Sequence, residues 1–432
     1  MTTAQTVVLH ALGQLQRVPA ALSFARTTRN PEAAQRAYLK RLLTQNADTE
    51  YGRAHGFSAS MTAEDFARRV PLMTPADFRP LVNRMMNGEQ RVLLADTPRF
   101  YARTSGSTGA PTNVPVTATY RAEFQRTVQV SMFHMYRRFP EAFRSRVLYF
   151  AGQRRQLVAP DGCDVGTMSG YNFSELPPPI RALYAWPAEL FGVGDLRTRT
   201  YLALWLAVQG DISLITGVYP APIVFMLREL PSLAKDLARD ARAGTLPAWL
   251  ALSPEQRAFF SERLRPDTET ARRFERAAEA PAERCAVEAF PSLRLVYCWL
   301  TATAGIYVPE LKRQLPGVAV RDAIYSASEG WGSIPIGDEE TGGALAIESI
   351  FFEFIEEQAY AAGSRDTRFA WQLEDGKRYL IVMSDSAGVY RYLLGDVMEV
   401  CGFHNATPRV RFVRKFGAAS NLIGEKLLEE HV

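Results

Sequence analysis

Apolar positions in the first hundred residues recur at helical spacing. After Asn30 and Pro31, which suit an N-cap and a first helical position, Ala34, Tyr38 and Leu42 fall on one face. The pattern predicts a helical N-terminal region. From about residue 146 the texture changes. Short apolar runs at 146–151 (RVLYFA), 211–216 (DISLIT), 293–300 (LRLVYCWL), 344–355 and 378–383 read as strands. Between them, 196–209 and 223–242 carry helical periodicity, the second closed by Gly244. Strands alternating with helices predict an α/β fold with mostly parallel sheets flanked by helices. Beyond Ala344 the strands crowd together, which predicts a smaller antiparallel or barrel-like subdomain near the C-terminus.

Composition narrows the class. With 432 residues, 47% hydrophobic and 22% charged, the chain can bury a large core, and disorder is excluded. Cys163, Cys285, Cys298 and Cys401 show no C-x-x-C spacing, so neither a disulfide framework nor a cysteine zinc site is expected. No apolar run reaches 18 residues and no basic leader precedes the first one, which reads as a cytoplasmic protein without a membrane partner. The 50 basic residues against 46 acidic ones leave a net charge of +4. Arginines such as Arg137, Arg138, Arg144, Arg154 and Arg155 are scattered without an unbroken basic block, so no nucleic-acid partner is expected. Only six lysines occur, and none lies between Lys40 and Lys235.

One stretch stands apart: residues 101–117 read YARTSGSTGAPTNVPVT. Its flanks, RFYART and VPVT, read as strands, and Thr119 is expected to cap a helix carrying Tyr120, Phe124, Val128 and Met135 on a broad face. Thr104, Ser105, Gly106, Ser107, Thr108 and Gly109 then form a tight loop. Glycines let backbone N–H groups approach an anion, and hydroxyls add donors, so a phosphate cradle and a plain Ser/Gly turn are both open here. Neither the G-x-x-x-x-G-K-[ST] nor the G-x-G-x-x-G order is present.

The segment TSGSTGAPTNVP resembles the phosphate-binding motif of adenylate-forming enzymes, whose usual form is Ser/Thr-Ser-Gly-Ser/Thr-Ser/Thr-Gly-x-Pro-Lys. From about residue 35 onward the chain is similar to the GH3 acyl-acid amido synthetase family. The likeness runs through YGRAHGF from Tyr51, VPLMTPADFRPLVNRMMNGE from Val70, LITGVYPAPIVFML from Leu214, YSASEG from Tyr325, YRYLLGDVMEVCGFHN from Tyr390 and IGEKLLEE from Ile423. It implies an adenylate-forming-enzyme-like large domain over residues 1–417, with 418–432 as a hinge and the start of a C-terminal domain absent from this chain. It also implies ATP and Mg²⁺ as cofactors, and a small carboxylic acid and an amine or amino acid as substrates.

By the same resemblance, residues Thr104 to Gly109 hold phosphates and Tyr325 stacks on adenine. Ser328 bonds the α-phosphate or the acid, and Glu329 holds Mg²⁺, for which one carboxylate beside phosphates and waters suffices. Asp396 takes the ribose hydroxyls and Arg414 touches the ribose or phosphates. Read without the resemblance, Glu329 is a surface acid, Asp396 a turn-former beside Gly395, and Arg414 a surface arginine. Cys401 and His404 carry no nucleophile-and-base arrangement and are expected to be structural. Tyr219, Trp299 and Tyr307 fall near strand ends and mark an expected acid pocket, with buried core aromatics as the alternative.

One departure bears on mechanism. Thr112 stands where the loop motif has lysine. The expected activity is adenylation of an acid followed by transfer to an amine. An acyl-CoA ligase with the same first step, or a degenerate nucleotide- and acid-binding protein, stays open beside it.

Overall fold

The computed structural model describes residues 3–104, 111–337 and 341–416. The expected hinge at 418–432 lies outside the described residues, as do Ser105 to Gly109.

Five helices, Thr3–Thr27, Pro31–Gln45, Glu50–His55, Ala63–Arg69 and Pro75–Met86, build the N-terminal region. Their starts are written locally. Asn30 Oδ1 accepts from the Ala33 amide at 3.1 Å, and Thr49, Thr62 and Thr74 cap the next three helices. Thr62 and Thr74 do so in reciprocal boxes with Asp65 and Asp77. Tyr38 and Leu42 point into the core as their spacing predicts.

The strands Arg146–Phe150, Ile212–Gly217, Leu295–Cys298 and Ala319–Asp322 form a four-stranded, fully parallel sheet in that order. Between its strands run the helices Leu196–Val208, buried on every side from Tyr201 to Val208, and Ala221–Ala243, buried on one face. The latter ends where Gly244 turns left-handed at φ 68°, and a Cβ there would stand 2.3 Å from Pro266 Cδ. Gly244→Ala is therefore expected to destabilise by more than the roughly 1–2 kcal/mol of the backbone conformation alone. A urea midpoint equal to wild type would refute this.

The antiparallel part is larger than its crowded pattern implied and begins earlier. Eight strands pair in the order Arg368–Phe369, Phe351–Glu356, Arg378–Ser384, Tyr392–His404, Thr407–Lys415, Gly343–Leu345, Gly330–Ile334 and Tyr325–Ala327. The single run expected over 344–355 is two strands in different places in this sheet. Gln35 explains the break: its side chain donates to the Ile347 and Ile350 carbonyls at 2.9 and 2.6 Å and accepts from the Phe352 amide at 2.8 Å. A buried turn is thereby satisfied by a helix residue far away in sequence.

A third, mixed sheet contains Phe100–Arg103 and Asn113–Val116, the two strands expected around the loop, paired antiparallel with Arg103 opposite Asn113. The helix that follows, Ala118–Arg138, is capped by Thr117 and not by Thr119. Thr117 is extended and its hydroxyl accepts from the Tyr120 amide at 3.1 Å, while the Thr119 hydroxyl donates to Asp96 at 2.5 Å.

Only Ala323 and Ile324 separate the last parallel strand from Tyr325 in the antiparallel sheet. The Ala323 amide donates to the Cys298 carbonyl at 3.0 Å, and Trp299 Nε1 donates to the Ile324 carbonyl at 2.9 Å. The buried Asp322 carboxylate spans the junction, accepting from the Leu300 and Gly342 amides at 3.0 and 3.1 Å. All four cysteines are free thiols, and among the described residues no helix is long and apolar enough to cross a membrane.

Candidate functional site

The hairpin of Tyr325–Ala327 and Gly330–Ile334 sets Ala327 opposite Gly330, so Ser328 and Glu329 are its two turn residues. Gly330 is needed for close approach: a Cβ there would lie 2.9 Å from Ile350 Cδ1 and 3.0 Å from Asp385 Oδ2. The first turn of the helix Ala118–Arg138 abuts this hairpin, because the Tyr120 hydroxyl donates to the Ser328 carbonyl at 3.0 Å. Ser328 itself is half-buried.

Glu329 is 6% exposed, so it is not the surface acid that its sequence context left open. Tyr392 donates its hydroxyl to Glu329 Oε1 at 3.1 Å. Burial pushes the Glu329 carboxyl above the ordinary range; the Tyr392 hydrogen bond and the charge of Lys415 pull it back, and Asp396 adds to the rise. Among the described residues no group of three or more His, Cys, Asp or Glu side chains is arranged to hold a metal. Glu329 offers one carboxylate here, which is enough for a cation that takes its other ligands from phosphates and water.

Asp396 is also buried. Its Oδ2 accepts the Tyr325 hydroxyl at 2.5 Å, and its Oδ1 lies 2.6 Å from the Lys415 ammonium. The Tyr325 ring, with Phe412 5.9 Å away between centroids, is half-buried, and its hydroxyl is held protonated by burial and by Asp396.

Behind the hairpin sits Asp385, 1% exposed. Its Oδ1 accepts the Ala387 amide at 2.8 Å, while its Oδ2 has no hydrogen-bond partner. Burial pushes its carboxyl well up against the pull of the Ala387 amide, and Glu123 and Glu329 add to the rise.

Of the residues predicted from sequence, Tyr325, Ser328, Glu329 and Asp396 are brought together. Thr104 sits at the neck of the loop, where its amide donates to the Thr112 carbonyl and its hydroxyl accepts from the Thr112 amide, both at 2.9 Å. Thr112 is 4% exposed. Arg414 is not brought there. It is paired with Val397 in register, one residue off the Asp396–Lys415 pair, so it faces the opposite side of the sheet and its guanidinium meets Glu357. Lys415, Tyr392, Tyr120 and Asp385 escaped sequence reasoning. Strand alternation around Asp396 could have found Lys415 once the register was known.

Arg391, inside the third motif, is a clamp. It is buried at φ 50°, with Nε 3.0 Å from Glu353 Oε2, and Nη1 donates to the Ala67 and Val70 carbonyls at 2.5 and 2.6 Å. His404 stacks on Phe24 and Cys401 Sγ donates to the Arg409 carbonyl at 3.6 Å, so both are engaged in packing. The aromatic trio is only partly one group. Tyr219 and Tyr307 meet edge to face at 5.8 Å, while Trp299 is committed to the Ile324 carbonyl. All three follow the carboxyl ends of parallel strands, where open α/β sheets bind ligands.

Comparison with known proteins places these features. Residues 21–320 match the model of the GH3 family N-terminal domain and residues 343–415 that of the GH3 family central domain. A jasmonoyl–L-amino acid synthetase, JAR4, of Nicotiana attenuata is 25% identical over 402 residues, covering 89% of this chain and 69% of the relative. A probable indole-3-acetic acid-amido synthetase, GH3.12, of Oryza sativa subsp. japonica is 28% identical over 433 residues, covering 90% and 70%. The fold is that of the solved GH3.15 acyl acid amido synthetase, with a TM-score of 0.79 at 20% identity over 92% of this chain and 70% of that one.

Proposed function

The chain belongs to the GH3 family, and from that premise we propose that it is an ATP-dependent acid–amine ligase. A carboxylate oxygen of the acid attacks the α-phosphorus of ATP, the bond from that phosphorus to the bridging oxygen breaks, and pyrophosphate leaves. The nitrogen of an amine, proposed to belong to an amino acid, then attacks the acyl carbon of the acyl-AMP. AMP departs, and the nitrogen gives up a proton as the amide forms. Jasmonoyl and indole-3-acetic acid conjugation, the activities named for its relatives, are of this kind.

The observation that carries the proposal is the meeting at one corner of two distant motifs, through the Tyr325–Asp396 and Tyr392–Glu329 hydrogen bonds, with the helix that follows the loop motif, through Tyr120–Ser328. Asp396, an ionisable acid in a buried setting, accepts the ribose hydroxyls, with the Tyr325 hydroxyl fixing its orientation and the Tyr325 ring offering a face to adenine. Ser328 presents its hydroxyl to the α-phosphate or the acid. Backbone amides of Thr104 to Gly109 receive the phosphates. Glu329 would hold Mg²⁺, which when bound neutralises charge on the phosphates. Arg414 is left out of the proposed site because its guanidinium lies with Glu357. The protein's own share of the first step is positioning and fixed electrostatics. Four unpaired thiols suit the cytoplasm as its place of action.

The deciding experiment is acid-dependent ATP–pyrophosphate exchange across aryl, indole and fatty acids. Exchange with at least one acid is expected. Nucleotide binding without exchange in an acid panel of that breadth would leave a binding protein, and product formation with coenzyme A but no amine would leave a thioester ligase. Asp396→Ala is expected to weaken AMP binding by about 1.5–3 kcal/mol, because the ribose loses a charged acceptor. Calorimetric titration of the folded variant checks it, and an unchanged affinity would defeat the ribose role.

A further inference from the structure

Residues 104–112 contain no basic side chain, and Thr112, at the lysine position, is buried and tied by its backbone to Thr104. A phosphate held by this segment would find no lysine or arginine within it. A basic side chain does stand beside Asp396. Strand register sets Lys415 directly opposite Asp396, and its ammonium lies 2.6 Å from Asp396 Oδ1 and 3.1 Å from the Leu394 carbonyl. Its charge also bears on Glu329, the acid assigned to the cation.

Tyr325 donates to one oxygen of Asp396, and Lys415 is ion-paired with the other, which has no hydrogen-bond partner. The carboxylate keeps free lone pairs, but a ribose hydroxyl that approaches Oδ1 competes with the Lys415 ammonium for that oxygen. The Lys415 side chain keeps 31% of its surface exposed, so its pairing with Asp396 is partly screened and is the weaker tie to break. The ammonium sits on a flexible four-carbon stem and carries three donors, which suits a point contact to phosphate oxygens.

We propose that Lys415 replaces the missing loop lysine: it waits on Asp396 in the free protein, yields that carboxylate to the ribose, and turns to the phosphates of the bound nucleotide. The exchange rests on the nucleotide site proposed above. It makes ribose capture and phosphate neutralisation one event, since the group displaced by the first becomes the ligand for the second.

Calorimetric titration of wild type, Lys415→Met and Lys415→Arg with adenosine, AMP and ATP separates the possibilities. Lys415→Met is expected to bind adenosine as well as wild type or better, because Asp396 is left open, while AMP and ATP weaken by about tenfold or more. Lys415→Arg is expected to recover most of the AMP and ATP affinity, as any cation of similar reach would. Equal changes for all three ligands, or no loss for AMP and ATP, would overturn the phosphate role while leaving the nucleotide site standing. Absence of binding to wild type by all three would overturn both.

Discussion

Methionine in place of Arg391 is expected to lower the stability of the folded chain by about 3–5 kcal/mol, the range found when one partner of a buried ion pair is removed. The Arg391 and Glu353 side chains are 7% and 1% exposed, so Glu353 would be left as an isolated charge away from water. The Ala67 and Val70 carbonyls lose their donors in the same step, and those carbonyls end the helix Ala63–Arg69. Urea denaturation of the single variant and of Arg391→Met with Glu353→Leu checks the cause. The double variant should regain much of the loss, because a well-packed apolar pair carries no desolvation burden. A single-variant loss near 1 kcal/mol would show that the pair is not a clamp. Since Tyr390 and Tyr392 flank Arg391, a loosened clamp should also weaken nucleotide binding indirectly.

Glu329→Gln should show the opposite profile. Pyrophosphate exchange is expected to fall about 10²–10³-fold, the scale of losing one preorganised charge-stabilising group at a reaction centre. Stability should not fall with it. The amide carbonyl still accepts from Tyr392, and the neutral side chain escapes the desolvation that pushes the Glu329 carboxyl upward. A carboxyl whose folded pKa is raised is no burden at low pH and becomes one as pH rises through that pKa. The gap between the Gln variant and wild type should therefore widen with pH, in favour of the variant. Thermal melts from pH 5 to 8 alongside exchange assays test both halves. A variant that exchanges at the wild-type rate would remove Glu329 from the reaction.

How much of this was legible beforehand follows physical range. Helix ends are local: Asn30 at a start and Gly244 at a stop act within a few residues, and both do what their chemistry predicts. Three of the four parallel strands were readable as apolar runs, while Ala319–Asp322 alternates between buried and half-buried positions. The run 344–355 misled because Gln35, more than three hundred residues earlier, satisfies the break between its two strands. Arg414 and Lys415 illustrate the limit most sharply. Both are basic neighbours, and only the pairing register, which no local signal encodes, decides which one faces Asp396. Tyr120 and Tyr392, which orient Ser328 and Glu329, read in sequence as ordinary core aromatics, since their hydroxyl partners lie 208 and 63 residues away.

The passage from Asp322 to Tyr325 works as a fixed ruler between the ends of the parallel strands and the hairpin corner. Anything held at the ends of the parallel strands is measured from Asp322 and Trp299, and anything held by the hairpin is measured from Tyr325. Side chains at Ala323 and Ile324 can vary within their packing, but their number cannot. One more residue would turn Tyr325 and the Ser328–Glu329 corner to the other face of the sheet while leaving every side chain in the site present. In this chain the two-residue interval sets how the parallel-strand ends and the hairpin corner face one another, whatever side chains line either of them.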